Sequence, residues 1–229
     1  MGRVNTVHMA WSKDSKRDGG RGYHHGNLRE ALVRAALDLI GEKGPAGFTF
    51  AEAARAAGVS PAAPYRHYRD RDDLMADIAL RGFNLLETDL VRAWNEGNPD
   101  AGSALEAVGR AYLKFARTEP AYYSAMFEAA IPLDTNLPLR DAGDRVFALL
   151  RAASEKLIAS VPKRSRPPAL MMALHVWALS HGIASLFGRG DAARRALPMP
   201  AEELLEAAIL IYREGLRLAP SSPEDLTDR

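Results

Sequence analysis

The chain has 229 residues, of which 47% are hydrophobic, so it can form one large or two small domains with a substantial core. It contains no cysteine, which excludes a disulfide framework, a cysteine-based metal site and a cysteine nucleophile. The formal net charge of +1 does not by itself indicate a nucleic-acid partner, although residues 1–73 carry 12 basic and 9 acidic side chains and the remainder carries 18 and 20. By inspection, no apolar run approaches the roughly 18 residues of a membrane span, and the N-terminus lacks an apolar secretory segment. We therefore expect a cytoplasmic protein without a membrane partner.

The first 22 residues are polar and glycine-rich, and their simpler interpretation is a disordered basic tail or a start codon placed too early, with Met9 as the true start. The spacing of apolar residues then predicts a helix from Tyr23 to Ile40, with Asn27 as its N-cap. His24 and His25 lie in a polar segment, where adjacent histidines are more often solvated than bound to a metal. We expect no metal site.

The next stretch predicts two short helices joined by a tight turn. Thr49, followed three residues later by Glu52, is a capping-box pattern that starts the first helix. Gly58 fits the position just after that helix, because a left-handed backbone conformation causes no Cβ clash at glycine. Ser60 is a good N-cap, and Pro61 is harmless at the first helical position. This pattern is typical of a helix-turn-helix, whose second helix enters the major groove of DNA.

The second of these helices contains Pro64, which removes a backbone hydrogen bond and disfavours helical geometry at Ala63. Its first turn is therefore expected to be irregular. Tyr68 is predicted to be the residue that anchors this helix in its own domain.

A long helix follows, from Asp70 to Trp94. Asp70 is its predicted N-cap, and Leu74, Ile78 and Leu85 recur at helical spacing. The helix should join the N-terminal domain to the rest of the chain, with a domain boundary near residue 80.

The C-terminal part consists of helical patterns that are cut by prolines, with a basic, rigid linker at 161–168. The predicted helices are 101–117, 121–130, 140–160, 169–187 and 202–218. Since no alternating strand pattern competes, the sequence predicts an all-α fold with about nine helices.

The run from Phe48 to Leu74 resembles the DNA-binding domain of the TetR family of bacterial transcriptional regulators. Arg71 stands where the family usually has lysine, and Tyr68 where it usually has phenylalanine. The stretch Trp177-Ala-Leu-Ser-His181-Gly182 is similar to a signature in the ligand domain of one TetR subfamily. After the tail at 1–22, the resemblance implies a helix-turn-helix domain at 23–80 and a ligand-binding and dimerisation domain at 81–220.

The resemblance also implies which residues contact DNA. Tyr65 and His67 would hydrogen-bond phosphate oxygens, and Thr49 and Arg71 are further phosphate candidates. Arg66 could contact either guanine or phosphate, and both roles stay open. Small residues early in the second helix would lie closest to base edges. The predicted DNA-binding set is Thr49, Ser60, Ala62, Ala63, Tyr65, Arg66, His67 and Arg71. The alternative is that the aromatic residues are core and the polar ones form a solvated face. Residues 1–22 could likewise be a basic arm that reaches an adjacent groove.

The resemblance implies a dimer, for which the last two helices are the predicted surface. The final helix carries two apolar stripes and must be covered on two sides. One stripe is Leu204, Ala208 and Ile211; the other is Leu205, Ile209, Tyr212 and Leu216. A symmetric dimer would read a near-palindromic operator in double-stranded DNA. The alternative is that both stripes are internal core.

The middle helices are rich in aromatic residues and methionine, as in many apolar ligand pockets. The predicted ligand-binding set is Tyr112, Phe115, Tyr123, Met126, Phe127, His175, Trp177 and His181. The same spacing also fits an ordinary core. For Trp177, His181 and Gly182, packing is the favoured interpretation, with Gly182 allowing helices to approach closely.

These features predict a TetR-like regulator, a homodimeric repressor that a small apolar or aromatic ligand releases from its operator. An activator or a ligand-independent regulator with the same fold is the alternative, and a helical adaptor that binds no DNA is a further one. The sequence has no HExxH, GxSxG or Walker motif, so we expect neither an enzyme nor a cofactor.

Overall fold

The computed structural model describes residues 28–132, 136–159, 161, 163, 166–188 and 198–218. These residues form eight α-helices and two short 3-10 helices, and no β-strand occurs among them. The α-helices are α1 (Leu28–Lys43), α2 (Phe50–Ala56), α3 (Arg71–Trp94), α4 (Ala101–Thr118), α5 (Pro120–Phe127), α6 (Leu137–Ile158), α7 (Ala169–Gly188) and α8 (Ala201–Leu218). The 3-10 helices are Ala63–Arg66 and Asn95–Gly97. The predicted all-α fold with about nine helices is confirmed.

Several predictions fall on residues outside the described ranges. They are the N-terminal tail at 1–22, the histidine pair His24 and His25, and the start of the first helix at Tyr23 with its cap Asn27. The predicted linker 161–168 is described only in part.

The caps predicted at Thr49, Asp70 and Gly58 are present. The Thr49 hydroxyl accepts the backbone N–H of Glu52 at 3.2 Å, and the Glu52 carboxylate accepts the N–H of Thr49 at 2.7 Å. Asp70 caps α3, since its Oδ1 accepts the N–H of Asp73 at 2.8 Å. Gly58 has a φ of +74°, as expected for the residue that ends α2.

The second helix of the helix-turn-helix differs from the prediction. Ser60 does not cap an α-helix; its carbonyl instead accepts the N–H of Ala63 at 3.0 Å in a turn. A single 3-10 helix then runs from Ala63 to Arg66. Pro64 explains the change, because it supplies no N–H to the first turn of an α-helix. The irregularity expected for one turn thus extends to the whole element.

Prolines begin two helices that were predicted to start after them. Pro120 is the first residue of α5, and Pro138 lies in the first turn of α6. Proline is tolerated there because the N–H that it lacks would have had no intrahelical partner. α5 also ends at Phe127, before its predicted end, and Ala130 beyond it has a φ of +51°, which an α-helix does not allow.

Helix α3 connects the two parts of the molecule. The head consists of α1, α2, the 3-10 helix Ala63–Arg66 and the first turns of α3; the body consists of the rest of α3 and α4–α8. α3 packs against α4, α5 and α6, while α7 packs against α4, α6 and α8. The buried side of α3 runs through Phe83, Leu86 and Leu90, whereas Leu85, predicted to belong to it, is 45% exposed.

Helix α7 corrects the expectation about apolar runs. It has 20 residues, contains no charged side chain and has a mean hydropathy of 1.5, so by length and composition it could cross a membrane. Such a helix is also found in the cores of soluble proteins, and here one face of α7 packs against α4, α6 and α8. The opposite face is exposed and carries Leu170, Leu174 and Leu186.

Candidate nucleic-acid interface and effector site

The predicted DNA-contacting residues of the 3-10 helix lie on the surface of the head. Tyr65 is 62% exposed, and its ring meets the ring of Phe50 edge-on at 5.1 Å. Arg66 and His67 are exposed beside it, as are Ser60 and Ala62. Ala63 is half-buried and packs against the core, so its methyl group is partly covered. Thr49 is exposed, and its hydroxyl is engaged in the capping box of α2.

Arg71 has a structural role that sequence reasoning missed. Its guanidinium donates to the carbonyl oxygens of Phe48, at 3.0 Å, and Pro45. It also stacks over the Phe48 ring, with its Cζ 4.8 Å from the ring centroid. Arg71 therefore ties the start of α3 to the loop that leads into α2.

Tyr68 anchors the 3-10 helix as predicted, but with a polar tip. The side chain is 3% exposed, and its hydroxyl donates to Asp77 Oδ2 at 2.6 Å. Arg29 on α1 donates from Nε to the same hydroxyl at 3.2 Å. Burial, and then the hydrogen bond to Asp77, raise the pKa of Tyr68, so the hydroxyl stays protonated and remains a donor.

The same network continues along α3. Arg81 donates to Asp77 at 3.2 Å and reaches Glu30 on α1 with two hydrogen bonds of 2.6 and 2.8 Å. The hydrogen bond from Arg81 lowers the pKa of Glu30. The network thereby joins α1, α3 and the residue that follows the 3-10 helix, and a bidentate arginine–carboxylate pair fixes geometry as well as charge. The one contact of this network that the sequence indicates is the pair Asp77 and Arg81, because residues four apart on a helix are neighbours.

In the body, four of the predicted ligand residues come together. His181 Nδ1 lies 3.0 Å from the Tyr112 hydroxyl and 2.9 Å from the Tyr123 hydroxyl. The Phe127 ring is 4.9 Å from the His181 ring and 5.7 Å from the ring of Phe83. Burial raises the pKa of Tyr112, which keeps its hydroxyl protonated at neutral pH. Phe83 was absent from the predicted site; it comes from α3.

The other predicted ligand residues lie apart from this cluster or at its edge. Phe115 is 1% exposed, in the core. Met126 packs over Gly82 of α3, where an added methyl group would lie 2.6 Å from the methionine sulfur. Trp177 is 37% exposed, with its ring 6.4 Å from that of His181. His175 is exposed and meets the ring of Tyr212 at 5.7 Å.

Gly182 does not have the role predicted for it. It is exposed, and a methyl group added to it would meet no atom within 4 Å. Among the residues that the structure describes, it therefore allows no close helix approach.

Two adjoining clefts open beside the aromatic cluster. The first, which we call the seam cleft, has a volume of about 450 Å³ and lies between the head and the body. It is lined by Ile40, Gly41, Gly44, Ala116, Pro120, Ala121, Tyr123, Ser124, Glu128, Ala184, Ser185 and Gly188. The second, the α8 cleft, has about 410 Å³ and is lined by Leu113, Ala116, Arg117, Pro120, Ala184, Phe187, Gly188, Pro200, Ala201 and Glu202. Tyr123 is the one member of the predicted ligand set that lines either cleft.

The outer face of α7 is largely apolar, and the exposed side of α8 carries large apolar residues beside Glu203 and Glu206. The exposed large apolar residues there are Leu170, Met171, Leu174, Trp177 and Leu186 on α7, and Leu210 and Ile211 on α8. Ile211 is 73% exposed, whereas Leu205 and Ile209, in the other predicted stripe, are 1% and 6% exposed. These two residues belong to the internal core, and Tyr212 of the same stripe is half-buried; the side chain of Leu216 lies outside the described part of the chain.

No group of three or more histidine, aspartate or glutamate side chains in the described part of the chain could hold a metal ion.

A capped helix-turn-helix on a small head, joined through one long helix to a larger helical body, defines a helix-turn-helix DNA-binding protein. The particular family follows from two sequence-family models that match this chain. "Bacterial regulatory proteins, tetR family" matches residues 32–78, and "Tetracyclin repressor-like, C-terminal domain" matches residues 105–212. Together they cover more than half of the chain. It belongs to the TetR family and is a DNA-binding transcriptional regulator.

Curated relatives agree with this assignment. The chain is 28% identical over 100 residues to the uncharacterized HTH-type transcriptional regulator YobS of Bacillus subtilis, and 38% identical over 65 residues to the HTH-type transcriptional regulator BetI of Rhizobium meliloti. The matches cover 44% and 28% of this chain. They span 51% of YobS and 32% of BetI, so about half or less of each relative.

Solved structures match over most of the chain. A protein of unknown function from Rhodococcus sp. RHA1 is 29% identical, with a TM-score of 0.71 over 88% of this chain and 100% of that one. The TetR family regulator PfmR from Thermus thermophilus is 21% identical, with a TM-score of 0.63 over 81% of this chain and 96% of that one. At that identity the second match supports the fold alone.

Proposed function

We propose that the protein is a cytoplasmic, homodimeric repressor that leaves its operator when a small molecule binds to the body. The observation that carries this proposal is the pairing of two surfaces. The head exposes Tyr65, Arg66 and His67 together, and the body exposes an apolar face on α7 and α8. The description of the C-terminal family as repressor-like supports the sign of the regulation. We propose no catalytic activity.

The proposed DNA contacts are of two kinds, those with phosphate groups and those with base edges. Tyr65, His67 and Thr49 contact phosphate, which positions the head without reading the sequence. Arg71 contributes at the start of α3, although its guanidinium already holds two carbonyl groups. Arg66 contacts either a guanine or a phosphate, while Ser60, Ala62 and Ala63 lie near base edges.

For dimerisation, the supporting observation is the exposure of apolar residues on the last two helices. Leu174, Leu210 and Ile211 are 44%, 58% and 73% exposed. Large apolar residues that are exposed on two neighbouring helices mark an interaction surface, and a two-fold axis would pair the same face of both subunits. The dimer would then place two heads on successive turns of the operator.

The effector is proposed to be an apolar or aromatic molecule that binds in the body beside Tyr112, Tyr123, Phe127 and His181. α3 carries the signal, because it contributes Tyr68's partner Asp77 to the head and Phe83 to the aromatic cluster. We place the boundary between the two domains inside this helix, near residue 80. The ligand can lower DNA affinity only by the factor by which it binds more tightly to the orientation of the heads that does not fit DNA.

The test is a gel shift of the purified protein on the intergenic DNA upstream of its own gene, with excess random DNA as competitor. We expect specific retention. Failure to retain that segment, and failure to select any sequence from random DNA, would contradict the proposal.

Two variants then separate the contacts. Tyr65→Phe should weaken binding equally on cognate and random DNA, and a loss confined to cognate DNA would defeat its phosphate role. Arg66→Ala should relax preference at one base pair, at a cost of about 1–3 kcal/mol, if it reads a base. Uniform weakening would assign it to phosphate.

A further inference from the structure

Residues 60–68, which we call the recognition segment, carry most of the proposed DNA contacts. The backbone N–H groups of His67 and Tyr68 both donate to the carbonyl of Pro64, at 2.9 and 3.0 Å. These hydrogen bonds join residues three or four apart, so they fix the shape of the turn. The orientation of the segment on the head therefore depends on side chains.

Two side chains of the recognition segment are buried, those of Pro64 and Tyr68. Burial of Pro64 sets no particular direction, because hydrophobic contact is non-directional. Tyr68 adds a directional contact, since its hydroxyl donates to Asp77 Oδ2 at 2.6 Å. Asp77 of α3 thus supplies the contact that orients the recognition segment.

Asp77 is itself held from two helices. Arg29 of α1 donates from Nη2 to Asp77 Oδ1 at 3.0 Å and from Nε to Oδ2 at 3.3 Å, and Arg81 donates to Oδ2 at 3.2 Å. The other nitrogens of the Arg81 guanidinium donate to Glu30. The Asp77 side chain is 11% exposed. A carboxylate that its neighbours fix in this way can hold the Tyr68 hydroxyl in one position.

An amide cannot replace the carboxylate of Asp77 without loss. Both oxygens of Asp77 accept hydrogen bonds, from Tyr68, Arg29 and Arg81. Asparagine offers a single acceptor oxygen, and its NH2 group would face one of these donors. Asp77→Asn should therefore loosen the recognition segment although the side chain keeps its size.

We propose that Asp77 is a positioning residue for DNA binding, which acts through the Tyr68 hydroxyl on the recognition segment. Asp77 does not contact DNA. It lets the segment meet DNA already oriented, which lowers the entropic cost of binding. The link to DNA rests on the contacts proposed above for Tyr65 and Arg66.

The charge of Asp77 alone would have the opposite effect. A carboxylate on the head repels the phosphate groups of DNA, so its removal should strengthen binding if the residue has no positioning role. The direction of the change in affinity therefore distinguishes the two roles.

The first test measures affinity by fluorescence anisotropy at a fixed salt concentration, on the labelled DNA that the gel shift retains. Asp77→Asn should weaken binding at least about tenfold, as expected when a hydrogen bond to a charged group is lost. Asp89→Asn, which removes the same charge on α3 within the body, should bind like the parent protein. Gly109→Ala, which overpacks the body, should also keep its affinity and controls for a general loss of stability. Circular dichroism checks that each variant is folded.

A double-mutant cycle separates positioning from stability. In a Tyr68→Phe background, Asp77→Asn should weaken DNA binding by less than about threefold, because the hydroxyl that Asp77 orients is absent. A residue that only stabilises the fold would give the same loss in both backgrounds. If Asp77→Asn does not fold, Tyr68→Phe alone makes the test, since it removes the hydroxyl and keeps both arginines on Asp77.

Amide hydrogen exchange of the free protein gives a readout that needs no DNA. Asp77→Asn should speed exchange at His67 and Tyr68, whose N–H groups donate within the recognition segment. Exchange in α6 should stay unchanged, because that helix lies in the body.

Three results overturn the proposal. They are a folded Asp77→Asn protein, or a folded Tyr68→Phe protein where it makes the test, that binds DNA at least as tightly as the parent; a loss on Asp77→Asn that is the same with and without the Tyr68 hydroxyl; and unchanged exchange in the recognition segment. Failure of the parent protein to bind any DNA contradicts the proposed function instead, and the exchange comparison still decides whether Asp77 orients the segment.

Discussion

The head presents its proposed contact residues to solvent, whereas the body buries the polar groups of its aromatic cluster. Tyr65 is 62% exposed, while Tyr112 and Tyr123 are 3% and 7% exposed. A substitution on the head surface should therefore alter DNA binding with little effect on stability. A substitution inside the body should lower stability with little direct effect on DNA binding. The outer face of α7 and α8 is the exception in the body, because it exposes large apolar residues.

That exception gives the largest expected effect. Ile211→Glu places a charge on the proposed dimer face at a residue that is 73% exposed, so the subunit itself should stay folded. We expect monomers by analytical ultracentrifugation and a loss of operator affinity of about 10²–10⁴-fold, since two linked heads bind far more tightly than one. Ile209 is unsuitable for this test because it is buried within the subunit.

The matched control is Leu85→Glu, on α3, where leucine is 45% exposed and lies outside the last two helices. It should leave the dimer intact. A dimeric Ile211→Glu protein would place the interface elsewhere.

The next largest effect concerns stability and compares a glycine of the body with a glycine of the head. Gly109→Ala puts a methyl group 2.8 Å from Leu205 Cδ2, and Leu205 is 1% exposed, so overpacking should lower the free energy of unfolding by about 1–3 kcal/mol. Gly41→Ala, with no atom within 4 Å of the new methyl group, should not be destabilising. Urea denaturation measures both. If Gly109→Ala is as stable as the parent, α4 and α8 are less closely packed than described.

Replacing Gly58, in the head, should be destabilising for a different reason. Gly58 has no neighbour within 4 Å of an added methyl group, but its φ is +74°. Gly58→Ala should cost about 1–2 kcal/mol through backbone strain, and Gly58→Asn less, because asparagine visits this conformation more readily. Equal losses for the two variants would contradict a backbone origin.

Tyr68→Phe tests whether the head also depends on a buried polar group. The variant keeps the ring and removes the hydroxyl that donates to Asp77, so the free energy of unfolding should fall by about 1–2 kcal/mol. Tyr65→Phe, the exposed counterpart, should leave stability unchanged. A stable Tyr68→Phe protein would mean that Arg29 and Arg81 satisfy Asp77 without the tyrosine.

The smallest effect concerns pH. The hydrogen bond from Lys43, followed by that from the Thr49 backbone, lowers the pKa of Glu52 from 4.5 to about 2. Because the folded pKa lies below the unfolded one, the stabilising contribution is complete above about pH 4.5 and disappears as the pH falls toward 2. The difference in urea midpoint between the parent and Glu52→Gln should therefore shrink as the pH is lowered from about 6 to about 3. A constant difference would contradict the shifted pKa.

The sequence by itself determined the features that depend on three or four neighbouring residues. The capping box at Thr49, the cap at Asp70 and the left-handed Gly58 follow from local hydrogen bonds and sterics, and all three are present. The helix count and the helix-turn-helix follow from the same kind of signal. Local reasoning fell short at Pro64, where the missing N–H changed a whole element rather than one turn.

Only the tertiary structure decided which side chains meet across the chain. Tyr112 and His181 are 69 residues apart, and Arg81 and Glu30 are 51 apart, so no periodicity could pair them. Packing also decided which apolar residues were left over. The two stripes of α8 look alike in sequence, yet Ile209 is buried and Ile211 is exposed, because α4 and α7 can cover only one side of the helix.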